Sequence, residues 1–173
     1  RVLIKFFNFG FAITTDISTA YRSLHISKLS QSLSRFFWYK DPNDPSSVEE
    51  CCWLRCTYGS GPTGICLEIG LRENVAPATP IIEVKNMLND SRFVDDLADS
   101  DDDADKLIFN LKNYISVCSQ FGFTHGDVSM TNNLFEGCEQ NQLRTLLGIT
   151  WDPSLDKWSP NTEWNISAKV RGI

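Results

Sequence analysis

The sequence predicts an α+β fold, a mainly antiparallel sheet with helices packed on one face. Three observations predict it. Beta-rich and helical runs follow one another in the order β-α-β-β-α-α-β-β-α-β-β, one long amphipathic helix is readable past the middle, and a charged turn joins two short apolar segments just before it.

Taken in order, the first beta stretch is Phe9 to Asp16, bounded by Gly10 and Asp16. Ser34 to Tyr39 and Cys51 to Tyr58 read as a second and third. Asp41-Pro-Asn-Asp-Pro45 between them is dense in turn residues and reads as a hairpin connection. Helical patterns follow at 63–74 and 80–89, the second with Pro80 in its first turn, where its missing N–H costs nothing. The stretch 91–98 reads as two short strands. The clearest helix spans 101–119, where Leu107, Ile108, Leu111, Ile115 and Cys118 form one apolar stripe, and an acidic start suits the helix dipole. Short strands at 121–125 and 144–151 complete the order.

The 173 residues suit about one domain, and 42% hydrophobic content is enough for a core. The formal net charge is −6, but Asp90 to Asp105 holds eight aspartates and one arginine, so the remainder is near neutral. Negative charge therefore belongs to one stretch and does not argue against nucleic acid as a partner. Its aspartate-rich part, 99–105, reads as a solvated helix start. No apolar run reaches the roughly 18 residues that span a bilayer, so no membrane partner is expected. Six cysteines without metal-type spacing read as free, mostly buried thiols in a reducing compartment, and would pair only in a secreted chain. Both ends look cut, which suggests a piece of a longer polyprotein.

Arg92-Phe-Val-Asp-Asp-Leu-Ala98 places Asp95 and Asp96 at a turn between apolar segments. Like charges among apolar flanks are costly without a cation. Asp16, at the end of another beta stretch, completes an oxygen-ligand set for a pair of Mg2+ ions if those strands are neighbours. A solvated turn has the same composition, and both readings stand at this level.

Asp16-Ile-Ser-Thr-Ala-Tyr21, followed downstream by Phe93-Val94-Asp95-Asp96-Leu97, resembles the palm of reverse transcriptases. The first segment is similar to the family's Asp-x-x-x-Ala-Tyr/Phe motif, and the second to its Tyr-x-Asp-Asp box with Phe for Tyr. Arg35-Phe-Phe-Trp38, Val94, Tyr58-Gly59 with Leu71-Arg72, and Leu146-Leu-Gly-Ile-Thr-Trp151-Asp resemble the Bel/Pao-type LTR retrotransposons. The resemblance runs from residue 2 to 158, leaving 159–173 as the start of a connecting segment.

The resemblance implies a polymerase palm with partial fingers that adds nucleotides to a primer 3′-hydroxyl. Asp16 and Asp95 would hold two Mg2+, for which Mn2+ could substitute, with Asp96 as a weaker ligand and the Ile17 backbone facing the metal. Tyr21 would close on the sugar 2′ position. Tyr58 and Gly59 would support the template base and nucleotide, and Phe93 would line the same pocket. Implied partners are an RNA/DNA template-primer, deoxynucleoside triphosphates and the other polyprotein domains. The implied location is cytoplasmic, including retroelement particles.

The chain also departs from the family. Thr63-Gly64-Ile65 stands where Ser-Pro-Phe is usual, and Asp127 falls in a segment that is usually basic, leaving His125 as a substitute proton donor. These departures, with most of the fingers and all of the thumb missing by the same resemblance, predict little or no polymerisation by the isolated chain. The alternative is a non-catalytic palm-fold binding module.

Overall fold

The computed structural model describes residues 1–136, 138 and 142–160. The chain opens with α1 (Val2–Phe6) and enters β1 (Phe11–Ser18), a 3-10 turn (Ala20–Ser23) and the short α2 (Lys28–Gln31). The hairpin β2 (Arg35–Tyr39) and β3 (Val48–Cys52) follows. Next come α3 (Thr63–Ile69), a π-helical stretch (Gly70–Val75), α4 (Ala76–Ala78) and α5 (Ile82–Asp90). Strands β4 (Arg92–Phe93) and β5 (Asp96–Asp101) precede the long α6 (Ala104–Gln120). Then follow β6 (Thr124–His125), β7 (Ser129–Met130), a 3-10 turn (Thr131–Asn133), β8 (Arg144–Leu146), β9 (Ile149–Asp152) and β10 (Lys157–Pro160). The architecture is α+β, and every strand pairing is antiparallel.

The central sheet runs β4-β5-β1-β6, with β7 also pairing β1. Successive residues of a strand face opposite sides, so β1 and β5 divide their side chains between two cores. Ile13, Ile17 and Leu97 face the larger core, against Leu67, Leu71 and Val75 of the helical run and Leu107, Leu111 and Tyr114 of α6. Ala12 and Ala98 face the other way, onto Phe6 of α1, Leu146 of β8 and Trp151 of β9. Each large apolar side chain buried in this way contributes about 1.5–3 kcal/mol. The long helices thus cover one face, and α1 with the β10-β9-β8 sheet covers part of the other.

Several boundaries differ from those the sequence predicts. The third strand is Val48–Cys52 rather than 51–58, because it pairs residue for residue with β2, from Arg35–Cys52 to Tyr39–Val48. α5 begins at Ile82, two residues after Pro80, since the Thr79 hydroxyl accepts the Ile81 amide and keeps the entry non-helical. The stretch 144–151 is two strands reversed at Leu147 and Gly148, both with positive φ. The acidic run is divided between two elements: β5 continues to Asp101 because Asp101 pairs with Phe11, and only Asp103 and Asp105 form the exposed start of α6. Asp99 is buried and paired with Lys5 at 2.8 Å, and Asp103 caps α6 through the Lys106 amide. The stripe of α6 is rotated toward Asn110, Tyr114 and Val117, with Ile108 and Ile115 only partly buried.

All six cysteines are free, but only Cys118 is fully buried, and Cys52 and Cys66 are exposed. The expected connecting segment begins inside β10, whose Ser159 and Pro160 pair with Thr150 and Ile149; residues 161–173 lie outside the described residues. Among the described residues, no helix is long and apolar enough to cross a membrane.

Candidate active site

The Asp95-Asp96 turn is a two-residue hairpin loop. Phe93 pairs with Asp96, leaving Val94 and Asp95 as its central residues. Val94 has φ +58 and Asp95 is not among the positive-φ residues, the pattern of a type II′ turn with valine in the glycine position. A β-branched residue there is strained by about 1–3 kcal/mol. Two hydrogen bonds hold the turn, from Ile17 N–H to the Asp95 carbonyl at 2.9 Å and from Arg92 Nη1 to the Val94 carbonyl.

The register of β1 and β5 sets Asp16 directly opposite Asp96. Directly paired residues share a face, so both carboxylates point to the side where α1 and β8 lie, and Phe93, paired with Asp96, shares that side. Asp16 and Asp96 line a cleft of about 170 Å3 with Thr14, Asp127, Arg144 and Leu146. Asp95 sits in the turn beside them. Burial first, then the charges of Asp95 and Asp16, push the Asp96 carboxyl above its ordinary value.

Tyr21 is brought to the same region. Its phenol is held above its ordinary value by burial first, then by the Asp95 charge and by Tyr58. The Tyr21 and Tyr58 rings meet edge to face, with centroids 5.0 Å apart. Gly59 follows with φ +81, a conformation that glycine adopts without strain. Phe93 and Tyr58 are exposed. Ile17 contributes backbone only, since its side chain is buried and its N–H is committed to Asp95.

An all-carboxylate donor set suits a hard divalent cation, and gathered like charges with one raised pKa are what such a set shows without its counter-ion. As placed, no group of three or more His, Cys, Asp or Glu side chains among the described residues closes on a single metal point.

His125 does not fit the proton-donor role. Burial lowers its pKa to about 4, its ring packs edge-on against Tyr114 at 5.0 Å, and neither ring nitrogen has a hydrogen-bond partner among the described residues. A neutral imidazole has no proton of suitable acidity to give near pH 7. Asp127 lies on the cleft rim, 3.8 Å from Arg144 Nη2, while Arg144 Nε donates to Ser129 Oγ at 2.5 Å.

Gly126, packed against Asp16, and Arg144 of the cleft wall are two residues that sequence reasoning missed. A Cβ on Gly126 would sit 2.2 Å from Asp16 Oδ1. No local pattern announces this, because the requirement comes from a strand more than a hundred residues away in sequence.

No protein-family model and no curated protein matches the chain. Among solved structures, it is similar to the foamy viral protease-reverse transcriptase in complex with RNA/DNA hybrid, with a TM-score of 0.57 and 17% identity over 88% of this chain. The chain spans only 18% of that neighbour's length. The fold is therefore reverse-transcriptase-like.

Proposed function

We propose that this chain is the palm region, with partial fingers, of an RNA-directed DNA polymerase of Bel/Pao type. The observation that carries the reading is the meeting of Asp16 with the Asp95-Asp96 turn, beside Tyr21, on a reverse-transcriptase-like fold. Asp16 and Asp95 would hold Mg2+, or Mn2+ in its place, with Asp96 beside them. Bound there, divalent ions supply charge neutralisation for transfer of a nucleotide to a primer 3′-hydroxyl. The side chains themselves orient: Tyr21 flanks the sugar, and Tyr58 and Gly59 form the wall behind it. The RNA/DNA hybrid held by the structural neighbour supports a template-primer as partner, with deoxynucleoside triphosphates as the second substrate.

The test is primer extension by the full-length protein that contains this chain. Asp95→Asn and Asp16→Asn should each lower the rate by at least about a thousandfold if the carboxylates hold the ions. Unchanged extension in both variants would sink the reading. A non-catalytic palm-fold module is the second reading, favoured by the lack of a converged three-ligand point among the described residues and by the neutral His125. A full-length protein that binds an RNA/DNA hybrid but extends no primer, with or without Mg2+ or Mn2+, would favour it.

A further inference from the structure

Arg92 stands on the face of β4 opposite the carboxylates, paired with Leu97 of the larger core, and its side chain is 1% exposed. A buried guanidinium must be paired and hydrogen-bonded. Nη2 is paired with Glu68 of α3, and Nη1 turns back to donate to the carbonyl of Val94, two residues on. Glu68 is itself gripped by Arg72 one helical turn later, and Arg72 Nη2 donates to the Asn89 carbonyl at 2.9 Å, near the end of α5 and just before β4. The chain of contacts thus runs from α3 to the strained turn and returns to the segment that feeds it. The Val94 carbonyl is fixed by Arg92, and the next carbonyl, Asp95, is fixed by Ile17. Two consecutive peptide planes are each held by a hydrogen bond, one from β4 and one from β1, and these planes set where the Asp95 and Asp96 side chains leave the backbone.

We infer that Arg92 and Glu68 are positioning residues: the pair holds Val94 in its left-handed conformation and so sets the spacing of the carboxylates across the cleft. Its consequence for ion binding rests on the proposed function. The inference about the turn does not. Lysine in place of Arg92 keeps the charge but lacks the planar fork that serves Glu68 and Val94 together, so charge alone is insufficient.

The experiment compares the wild-type chain with Glu68→Gln and Arg92→Lys by amide hydrogen exchange and by Mn2+ affinity from water-proton relaxation. In both variants the Ile17 amide should exchange about tenfold faster or more while the Leu111 amide in α6 stays unchanged, a local opening rather than a global one. Mn2+ affinity should fall about 10- to 100-fold. Ile17 exchange within about twofold of wild type, or an equal rise at Ile17 and Leu111, would overturn the inference. If either variant fails to fold, Arg72→Gln, which removes the outer, exposed contacts to Glu68 and Asn89 and leaves the Arg92–Glu68 pair, must still speed Ile17 exchange selectively. A wild-type chain that takes up no Mn2+ counts against the proposed function, and the exchange comparison still decides the role of the pair.

Discussion

Asp16 and Gly126 lie so close that a single methyl group on the glycine would sit 2.2 Å from Asp16 Oδ1 and 3.0 Å from Cγ. The Gly126 amide also donates to the Asp16 carbonyl at 3.0 Å, so backbone and carboxylate approach the same residue. Want of space beside the Asp16 carboxylate, not an unusual φ, is what favours glycine here.

Gly126→Ala should therefore destabilise the chain by about 1–3 kcal/mol through overpacking. The cost should shrink in an Asp16→Ala background, where the colliding atoms are gone. Urea denaturation of the four members of that cycle measures the coupling. Additive costs would show that the carboxylate swings away freely.

Asp96 carries a stability cost that depends on pH. Its folded pKa lies above the unfolded value, so the folded state holds the proton more tightly, and stability present below the unfolded value near pH 4 is lost as pH rises through the folded one. Without divalent ions, Asp96→Asn should melt above wild type at pH 7 and level with it near pH 3. Added Mg2+ should raise the melting temperature of wild type more than that of Asp96→Asn.

His125 has the opposite sign. Its folded pKa of about 4 lies below the unfolded value near 6.5, so the unfolded chain takes the proton first. Stability should be full above pH 6.5 and fall as pH drops toward 4, by roughly 3 kcal/mol over the window. His125→Phe, which keeps a ring against Tyr114, should flatten that part of the profile in urea melts taken from pH 4 to 7.

Val94→Gly tests the strain in the turn. Relief of about 1–3 kcal/mol should offset the extra entropy of an unfolded glycine, leaving stability within about 1 kcal/mol of wild type. The same change at Ile13, in the middle of β1 and fully buried, should cost several times more. Equal losses at the two positions would show that Val94 is not strained.

Much of the architecture was legible in the chain. The period-3.6 stripe of Leu107, Leu111 and Cys118 announced α6, and the turn residues at 41–45 announced the β2–β3 hairpin. The boundaries were less legible. β5 runs to Asp101, through aspartates that look like a helix start, because its partner is Phe11, ninety residues earlier. Local composition carries no record of that pairing.

The same division separates the parts of the candidate site. Sequence alone determined which carboxylates are available, that two of them share a turn, and that the fold is α+β, since periodicity and turn chemistry act over a few residues. Only the tertiary structure decided that Asp16 stands opposite Asp96, that Gly126 packs against the Asp16 carboxylate, that Arg92 is buried beneath the turn, and that His125 is neutral. Register, close approach and desolvation are properties of neighbours brought together by folding, and for Asp16 with Asp96 and with Gly126 those neighbours lie about eighty and more than a hundred residues apart in the chain.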